Sequence, residues 1–255
     1  MTKEIIAPSA RGVIDKYLAL PVGSKPSCPY FNNRRQKARG ALRVIVGKGT
    51  PEEIAEECQI QAIQSRTNIS DMPADVLKGF LVDKNLGVDC SGFAYHVLNA
   101  ISRERTGKSL RSHLTIKRNG LFGGLISRIR PSENVNVLGL ADQANSDAVS
   151  ARQARPGDVI VFLGTGKEKT YNHVLVITEV EHGEKASLIS YAHSYAWPSD
   201  GVYGHGVREG SISISTEDIT SGDWLEQGKS GSDNYTRESA LDADKVYVRR
   251  MKFLA

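Results

Sequence analysis

Hydrophobic residues in the first half of the chain recur at the spacing of an α-helix. Phe93, Val97 and Ile101 stand at i, i+4 and i+8, and residues with this spacing line one face of a helix. Gly107 follows at a point where a glycine commonly ends a helix. The pattern therefore predicts a helix over residues 91–105 with one apolar face.

A second helix is predicted from the signals at its start. Thr50 is suited to cap the free backbone N–H groups, and Pro51 to occupy the first helical position. Glu53, three residues after Thr50, completes the sequence pattern of a capping box. The segment TPEEIAEECQIQAIQ is therefore predicted to be helical from its first residues.

After Arg155 the pattern changes to short segments rich in β-branched residues, separated by turns rich in Gly and Ser. These segments are DVIVFL, HVLVITEVE, ASLISYAH, GSISIS and KVYVRRMKFL. Helices followed by strands predict an α+β fold with an antiparallel sheet of about five strands, in contrast to an alternating βαβ chain. Residues 226–239 are predicted to form a flexible loop before the last strand.

Composition sets broad limits on the class of protein. A chain of 255 residues that is 40% hydrophobic is long enough for one large domain, or for a core domain that carries insertions. The net charge of +4 permits an anionic partner without requiring one, and we expect no nucleic-acid partner. No apolar run reaches the roughly 18–20 residues of a membrane span, so no span is predicted.

The first 20 residues, MTKEIIAPSARGVIDKYLAL, contain no apolar core after a basic start. No signal peptide is therefore predicted. A cytoplasmic protein and a protein exported by a non-classical route both fit this pattern, and the sequence leaves the oligomeric state open.

Cys90 has a different setting from Cys28 and Cys58. The three cysteines form no C-x-x-C pair, so neither a disulfide scaffold nor a zinc site is predicted. Cys90 stands between Asp89 and Ser91 at the first turn of the predicted helix, where the helix dipole favours a thiolate. Its backbone N–H can also help to stabilise an oxyanion, and the following Gly92 is expected to leave room for a substrate backbone.

Two histidines fall on adjacent predicted strands. His173 opens HVLVITEVE, and His193 ends ASLISYAH. A hairpin centred on Gly183 makes them directly opposed, with Cβ atoms roughly 4.5–5.5 Å apart, so that one imidazole can orient the other. A two-residue turn would place them on opposite faces, and Asn172 and His205 are then the next candidates for the orienting group.

The segments VDCSGF, RPGDVIVF, NHVLVI and YAHS occur in an order that resembles the NlpC-type family of cell-wall cysteine peptidases, in the papain-like group. The resemblance covers roughly residues 85–102 and 154–254, with VYVRRMKF as the closing strand. It implies a single papain-like domain over residues 1–255, with the cysteine at a helix N-terminus packed on the sheet. It also implies that Cys90 is the nucleophile, His173 the base and His193 the orienting residue.

The resemblance further implies which residues bind substrate. The family has a Pro-Tyr loop whose tyrosine lines the site, and SCPYFNN makes Tyr30 the matching residue. Asp89 and Ser91 would hold a substrate amine, as in some members. The chain departs from the family in two long segments, at about 34–86 and 108–153, which are expected to be insertions.

The function implied by the resemblance is hydrolysis of an amide bond in peptidoglycan stem peptides, through a thiol acyl-enzyme intermediate. This chemistry requires no metal and no organic cofactor. The same intermediate serves a thiol-dependent acyltransferase or deamidase that acts on a protein or a lipid, so that alternative stays open. A third alternative is a non-catalytic module that binds a polyanion through the basic stretch NNRRQKARGALR, although the glutamates of residues 52–57 weaken a continuous basic patch.

Overall fold

A computed structural model of the chain describes residues 2–32, 43–116 and 131–255. These residues form an α+β structure with eight α-helices and one antiparallel sheet of nine strands, so the predicted α+β class is confirmed. The helices are α1 (Pro8–Leu18), α2 (Pro51–Gln64), α3 (Ala74–Asp83), α4 (Cys90–Thr106), α5 (Pro131–Asn134), α6 (Val137–Ala141), α7 (Gly201–Gly204) and α8 (Tyr235–Asp242). The strands are β1 (Thr2–Ile5), β2 (Ser146–Val149), β3 (Val159–Thr165), β4 (Tyr171–His182), β5 (Ser187–Tyr195), β6 (Gly206–Ile214), β7 (Asp223–Glu226), β8 (Lys229–Ser230) and β9 (Lys245–Met251).

The sheet has the strand order β2-β9-β3-β4-β5-β6-β7-β8, and β1 pairs with the end of β4 that extends past β3. The five predicted strands correspond to β3, β4, β5, β6 and β9. The sheet is larger than the expected five strands because β1, β2, β7 and β8 are added. Each of these has four residues or fewer, which is too short to show a clear alternation of polar and apolar residues.

Both faces of the central strands are buried. On one face, Val159 and Val161 of β3 pack in a core that includes residues of α1, α2, α3 and α4. On the other face, Ile160 and Phe162 join a second core with Trp224 of β7. This double burial explains why β3 reads as a continuous apolar run and not as an alternating one.

The two predicted helices are present. Thr50 Oγ1 accepts a hydrogen bond from the Glu53 backbone N–H at 3.2 Å, and Glu53 Oε2 accepts from the Thr50 N–H at 2.9 Å, so the capping box of α2 is confirmed. Helix α4 ends at Gly107, whose φ of 69° is left-handed. The N-terminal part of α4, Cys90–Leu98, is buried on every side, whereas the sequence predicted one apolar face.

The prediction of a flexible loop over residues 226–239 is wrong. This segment contains the end of β7, all of β8 and the start of α8. Asn234 caps α8, because its side chain accepts a hydrogen bond from the Arg237 backbone N–H at 3.1 Å. This Gly- and Ser-rich stretch thus forms short elements, of which β8 pairs with β7 and α8 contacts β3.

Most of the basic stretch NNRRQKARGALR, including Arg34, Arg35, Lys37 and Arg39, lies outside the described residues. Arg43, at its end, pairs with Glu53 at 2.8 Å. Across the parts of the chain that the structure describes, every helix is too short or too polar to cross a bilayer.

Candidate active site

Cys90 is the first residue of α4 and lies against the start of β4. Its Sγ is 4.0 Å from the backbone carbonyl oxygen of Asn172, and the backbone N–H of Val174 is directed at it. His173 lies between these two residues. The sulfur therefore contacts the backbone on both sides of the histidine that the sequence predicted as its base.

The sulfur reaches this position because β4 and β5 separate there. Their ladder begins at the pair Val176–Ala192, so the preceding part of β4 lies beyond the paired region. Successive residues of a strand point their backbone groups to alternate edges. Asn172 and Val174 therefore direct their backbone C=O and N–H groups to the edge of β4 away from β3, where Cys90 lies.

The β4–β5 hairpin differs from the predicted one. It is not centred on Gly183: the turn spans Gly183–Ala186, closed by a hydrogen bond of 3.0 Å between the Gly183 N–H and the Ala186 carbonyl. The register also shifts by one residue at Thr178, as at a β-bulge. The two changes leave His173 and His193 on the same face but staggered by two residues, so the predicted direct opposition is wrong.

The two histidines are nevertheless in direct contact. Nε2 of His173 lies 2.7 Å from Nδ1 of His193. Tyr195, which follows His193 on the same face of β5, stacks on the His173 ring with centroids 3.9 Å apart. Both imidazoles are buried, so their geometry is fixed by packing as well as by the hydrogen bond.

A residue that the sequence analysis missed, Glu226 on β7, completes the chain of contacts. Its Oε2 lies 3.1 Å from Nε2 of His193, and its side chain is fully buried. Trp224 and Glu226 stand two residues apart, so a strand over DWLE would have placed both on one buried face. That signal was overlooked because the strand has only four residues.

Glu226 fixes the direction of the hydrogen bonds. Burial alone would raise the pKa of its carboxyl, but His193, the Tyr191 hydroxyl and Arg208 together hold the pKa below its usual value. The carboxylate can only accept, so the His193 tautomer that donates from Nε2 accepts at Nδ1 from Nε2–H of His173. This leaves a lone pair on Nδ1 of His173, the ring nitrogen nearer the backbone that Cys90 contacts.

The protonation states also suit a base and a thiol. Burial lowers the pKa of His173 well below its usual value, and the charge of the nearby Arg208 guanidinium lowers it further. Its imidazole is therefore neutral near pH 7 and able to accept a proton.

Cys90 does not have the low pKa that the helix N-terminus predicted. Burial raises the pKa of its thiol to about 12, and the charge of Asp89 adds to this, whereas Lys48 and the backbone N–H groups of Val174 and Ser91 oppose it. Because α4 is buried on every side at this end, loss of hydration outweighs the helix dipole. The resting pair is thus a thiol and a neutral imidazole.

Asp89 and Ser91 line a cleft of about 240 Å³ together with Cys90. Asp89 caps α4, because its Oδ1 accepts a hydrogen bond from the Gly92 N–H at 2.6 Å. The same oxygen accepts from the Ser91 hydroxyl at 3.0 Å and from Nζ of Lys48 at 2.8 Å. Both predicted substrate-binding residues therefore have partners within the protein.

Lys48 also lines the cleft. Like Glu226, it was missed by the sequence analysis, since a lone Lys-Gly pair carries no signal.

The position of Lys48 also corrects the expectation that Gly92 leaves room for a substrate. A Cβ on Gly92 would lie 2.5 Å from the carbonyl oxygen of Gly47 and 3.1 Å from Cδ of Lys48. The space beside Gly92 is thus filled by the Gly47–Lys48 backbone and side chain, and not left for a substrate.

Tyr30 lies near Cys90 and Asp89, and its role in binding substrate stays a prediction. It forms an isolated bridge with Val88, two residues before Cys90. Its hydroxyl accepts a hydrogen bond from Asn32 at 3.2 Å. Burial raises the pKa of Tyr30, and the charge of a Cys90 thiolate would raise it further.

The other candidate residues lie in different settings. Cys28 and Cys58 are buried, and burial raises the pKa of both thiols. Asn172 uses its side-chain Oδ1 to accept from the Gly164 N–H at 3.1 Å, and His205 lies outside the contacts of His173. Within the described ranges, the structure groups no His, Cys, Asp and Glu side chains in a way suited to a metal ion.

Comparisons with known proteins give no family model, no curated protein and no solved structure that matches this chain. The site combines a thiol at a helix N-terminus, an imidazole on the adjacent strand, and a second imidazole hydrogen-bonded to a buried carboxylate.

Proposed function

We propose that the protein is a cysteine hydrolase that cleaves an amide bond in peptidoglycan stem peptides through a thioester intermediate. The observation that carries this proposal is the hydrogen-bonded chain from His173 through His193 to Glu226, which starts beside Cys90. Nucleophilic catalysis requires a nucleophile, a base beside it and a third group that orients the base. The position of Cys90 at the start of α4, beside the sheet, supports the papain-like arrangement implied by the resemblance.

In the first step, Nδ1 of His173 takes the thiol proton while Sγ of Cys90 attacks the carbonyl carbon of the substrate. The carbonyl π electrons move to oxygen, and the backbone N–H of Cys90, one of the free N–H groups of a helix N-terminus, stabilises that oxyanion. His173 then gives the proton to the departing nitrogen, and a thioester remains. Water then attacks the thioester carbon while His173 takes its proton. The C–S bond breaks, and His173 returns the proton to Sγ, which releases the acid and restores the thiol.

His193 and Glu226 act when His173 becomes positively charged. His193 accepts the hydrogen bond from His173 Nε2, and the buried carboxylate lies on its far side. Tyr191 donates to Glu226 Oε2 at 2.5 Å, and Arg208, held by Asp200 at 2.6 Å, lies 3.7 Å from Oε1. A charge held in this way needs no rearrangement when the imidazolium forms.

The cleft of about 240 Å³ supports a small substrate segment, below the 300 Å³ or more of a typical drug-sized ligand site. A short peptide fits this volume, and stem peptides of peptidoglycan are the peptides that the resemblance implies. The same thioester serves acyl transfer to an amine, so the products distinguish the two reactions.

The test uses purified muropeptides, incubated with the wild type and with Cys90→Ala, and mass spectrometry of the products. We expect a new amine and a new carboxylate from one stem-peptide amide in the wild type only. Products that carry an added amine in place of water would indicate acyl transfer. Equal cleavage by Cys90→Ala would overturn the proposal.

A further inference from the structure

Lys48 is a buried cation in the cleft beside Cys90. Its side chain is 9% exposed, and its Nζ lies 2.8 Å from Asp89 Oδ1, 2.5 Å from Ser91 Oγ and 3.4 Å from the Val135 carbonyl oxygen. A lysine ammonium has three N–H donors. The three acceptors therefore use all of them, and no donor is left for a ligand.

The position of Lys48 is fixed by the start of α4. The Asp89 backbone N–H donates to the Gly47 carbonyl at 2.9 Å, and the His96 ring contacts the Lys48 carbonyl at 2.9 Å. The side chain passes over Gly92, where a Cβ would leave only 3.1 Å to Lys48 Cδ. The ammonium is thus held in place by the same turn that carries Cys90.

Asp89 and Ser91 could bind a substrate amine if Lys48 were absent. We propose that the Lys48 ammonium fills this amine-binding position, so that no substrate amine binds there. The substrate class is then a peptide whose amine near the scissile amide is acylated, as in the interior of a chain. This inference rests on the proposed function, because it assigns the substrate class of the same site.

A free substrate amine is disfavoured for two reasons: Lys48 already occupies the acceptor atoms of Asp89 and Ser91, and its charge has the same sign as that of a substrate ammonium. A free substrate ammonium entering this part of the cleft would meet Lys48, and the Asp89 carboxylate that could neutralise it is already paired. Removing an ammonium from water without a partner is strongly unfavourable. An acylated nitrogen carries no charge and escapes this penalty.

The test uses two dipeptidyl chloromethyl ketones of one sequence, one with a free α-amine and one with an acetylated α-amine. Cys90 Sγ displaces chloride from either probe, so intact-protein mass and peptide mapping give the rate of modification without knowledge of the natural substrate. The wild type is compared with Lys48→Met, which frees the carboxylate, and with the double variant Lys48→Met/Asp89→Asn, which removes it.

In the wild type, we expect the acetylated probe to react at least as fast as the free amine. In Lys48→Met, the ratio of rates should move toward the free amine by about tenfold, the scale of one charge-assisted hydrogen bond. The double variant should lose that preference, because the introduced asparagine side chain caps α4 without a charge.

A wild type that prefers the free amine by about tenfold, or a ratio that Lys48→Met leaves unchanged, would overturn the inference. The wild-type ratio decides the question alone if Lys48→Met does not fold. If neither probe modifies Cys90 of the wild type, the proposed function fails and the inference fails with it. Modification with the opposite preference would remove the inference and leave the hydrolase proposal standing.

Discussion

Nδ1 of His193 lies 2.7 Å from Nε2 of His173, although the two residues are staggered and not opposed in the β4–β5 ladder. The shift of register at Thr178 makes this contact possible. If the register found near the turn continued past Thr178 without the one-residue shift, His193 and His173 would point to opposite faces of the sheet. The site thus depends on a single irregular residue of β4.

The first prediction concerns His193, which contacts His173 on one side and Glu226 on the other. His193→Gln can still accept from His173, so it should keep measurable kcat/KM on muropeptides. His193→Ala should keep less, because it removes the acceptor for His173 and one hydrogen-bond partner of the buried Glu226 carboxylate, and it should lower the free energy of unfolding by about 1–3 kcal/mol. His182→Ala, at the partly exposed turn of the same hairpin, is the control and should match the wild type. Equal activity of His193→Ala and the wild type would remove His193 from the mechanism.

The second prediction concerns the charge of Glu226. Glu226→Gln keeps the shape of the side chain but removes the carboxylate that fixes the His193 tautomer. We expect kcat to fall by about 10- to 100-fold, with a smaller change in KM. Glu238→Gln, which neutralises a partly exposed carboxylate of α8, is the matched control. A kcat of Glu226→Gln equal to that of Glu238→Gln would show that the carboxylate has no part in turnover.

The third prediction concerns pH and stability. The pKa of His173 in the folded protein lies well below its ordinary value of 6.5, so the unfolded chain takes up a proton that the folded protein excludes. Stability from this group is present above pH 6.5 and decreases as the pH falls below it, by up to about 1.4 kcal/mol per pH unit. Denaturant unfolding between about pH 7.5 and pH 5 should therefore show a smaller loss in His173→Gln than in the wild type.

Buried His96, whose pKa burial also lowers, is present in both proteins, so the difference between them isolates His173. Equal slopes of unfolding free energy against pH in the two proteins would contradict a neutral, buried His173.

The fourth prediction concerns Gly92. Gly92→Ala introduces a Cβ that would lie 2.5 Å from the Gly47 carbonyl oxygen. Because this oxygen belongs to the backbone, relieving the clash requires the Gly47–Lys48 turn or α4 to shift. We expect a loss of about 2–3 kcal/mol in unfolding free energy. Gly12→Ala is the matched control, because no atom lies within 4 Å of its new Cβ, and it should stabilise α1 by about 0.5–1 kcal/mol. Similar stability of the two variants would show that the Gly47–Lys48 turn can move away from α4.

The helices and strands that carry the site could be predicted from local patterns. The spacing of Phe93, Val97 and Ile101 locates α4, and the β-branched runs locate the strands that hold His173 and His193. These signals are local in sequence, because the apolar face of a helix or strand is set by a few consecutive residues.

The remaining features depend on contacts distant in sequence. The bulge at Thr178 is not visible in VLVITEVE, because Thr fits a regular strand equally well. The raised pKa of Cys90 follows from burial of α4 on every side, which one apolar face does not predict. Lys48 reaches the cleft only through the packing of its turn against Gly92, and no pattern in the sequence signals that contact.

The most direct test of the account is the rate at which iodoacetamide alkylates Cys90 as a function of pH, in the wild type and in His173→Ala. Cys28 and Cys58 in the same protein are internal references, read by peptide mapping. If His173 accepts the Cys90 proton, the wild type should react at neutral pH at least about 100-fold faster than the variant. In the variant, the rate should rise only at high pH, because burial raises the pKa of the Cys90 thiol. Identical rate profiles for Cys90 in the two proteins would contradict the assignment of His173 as its base.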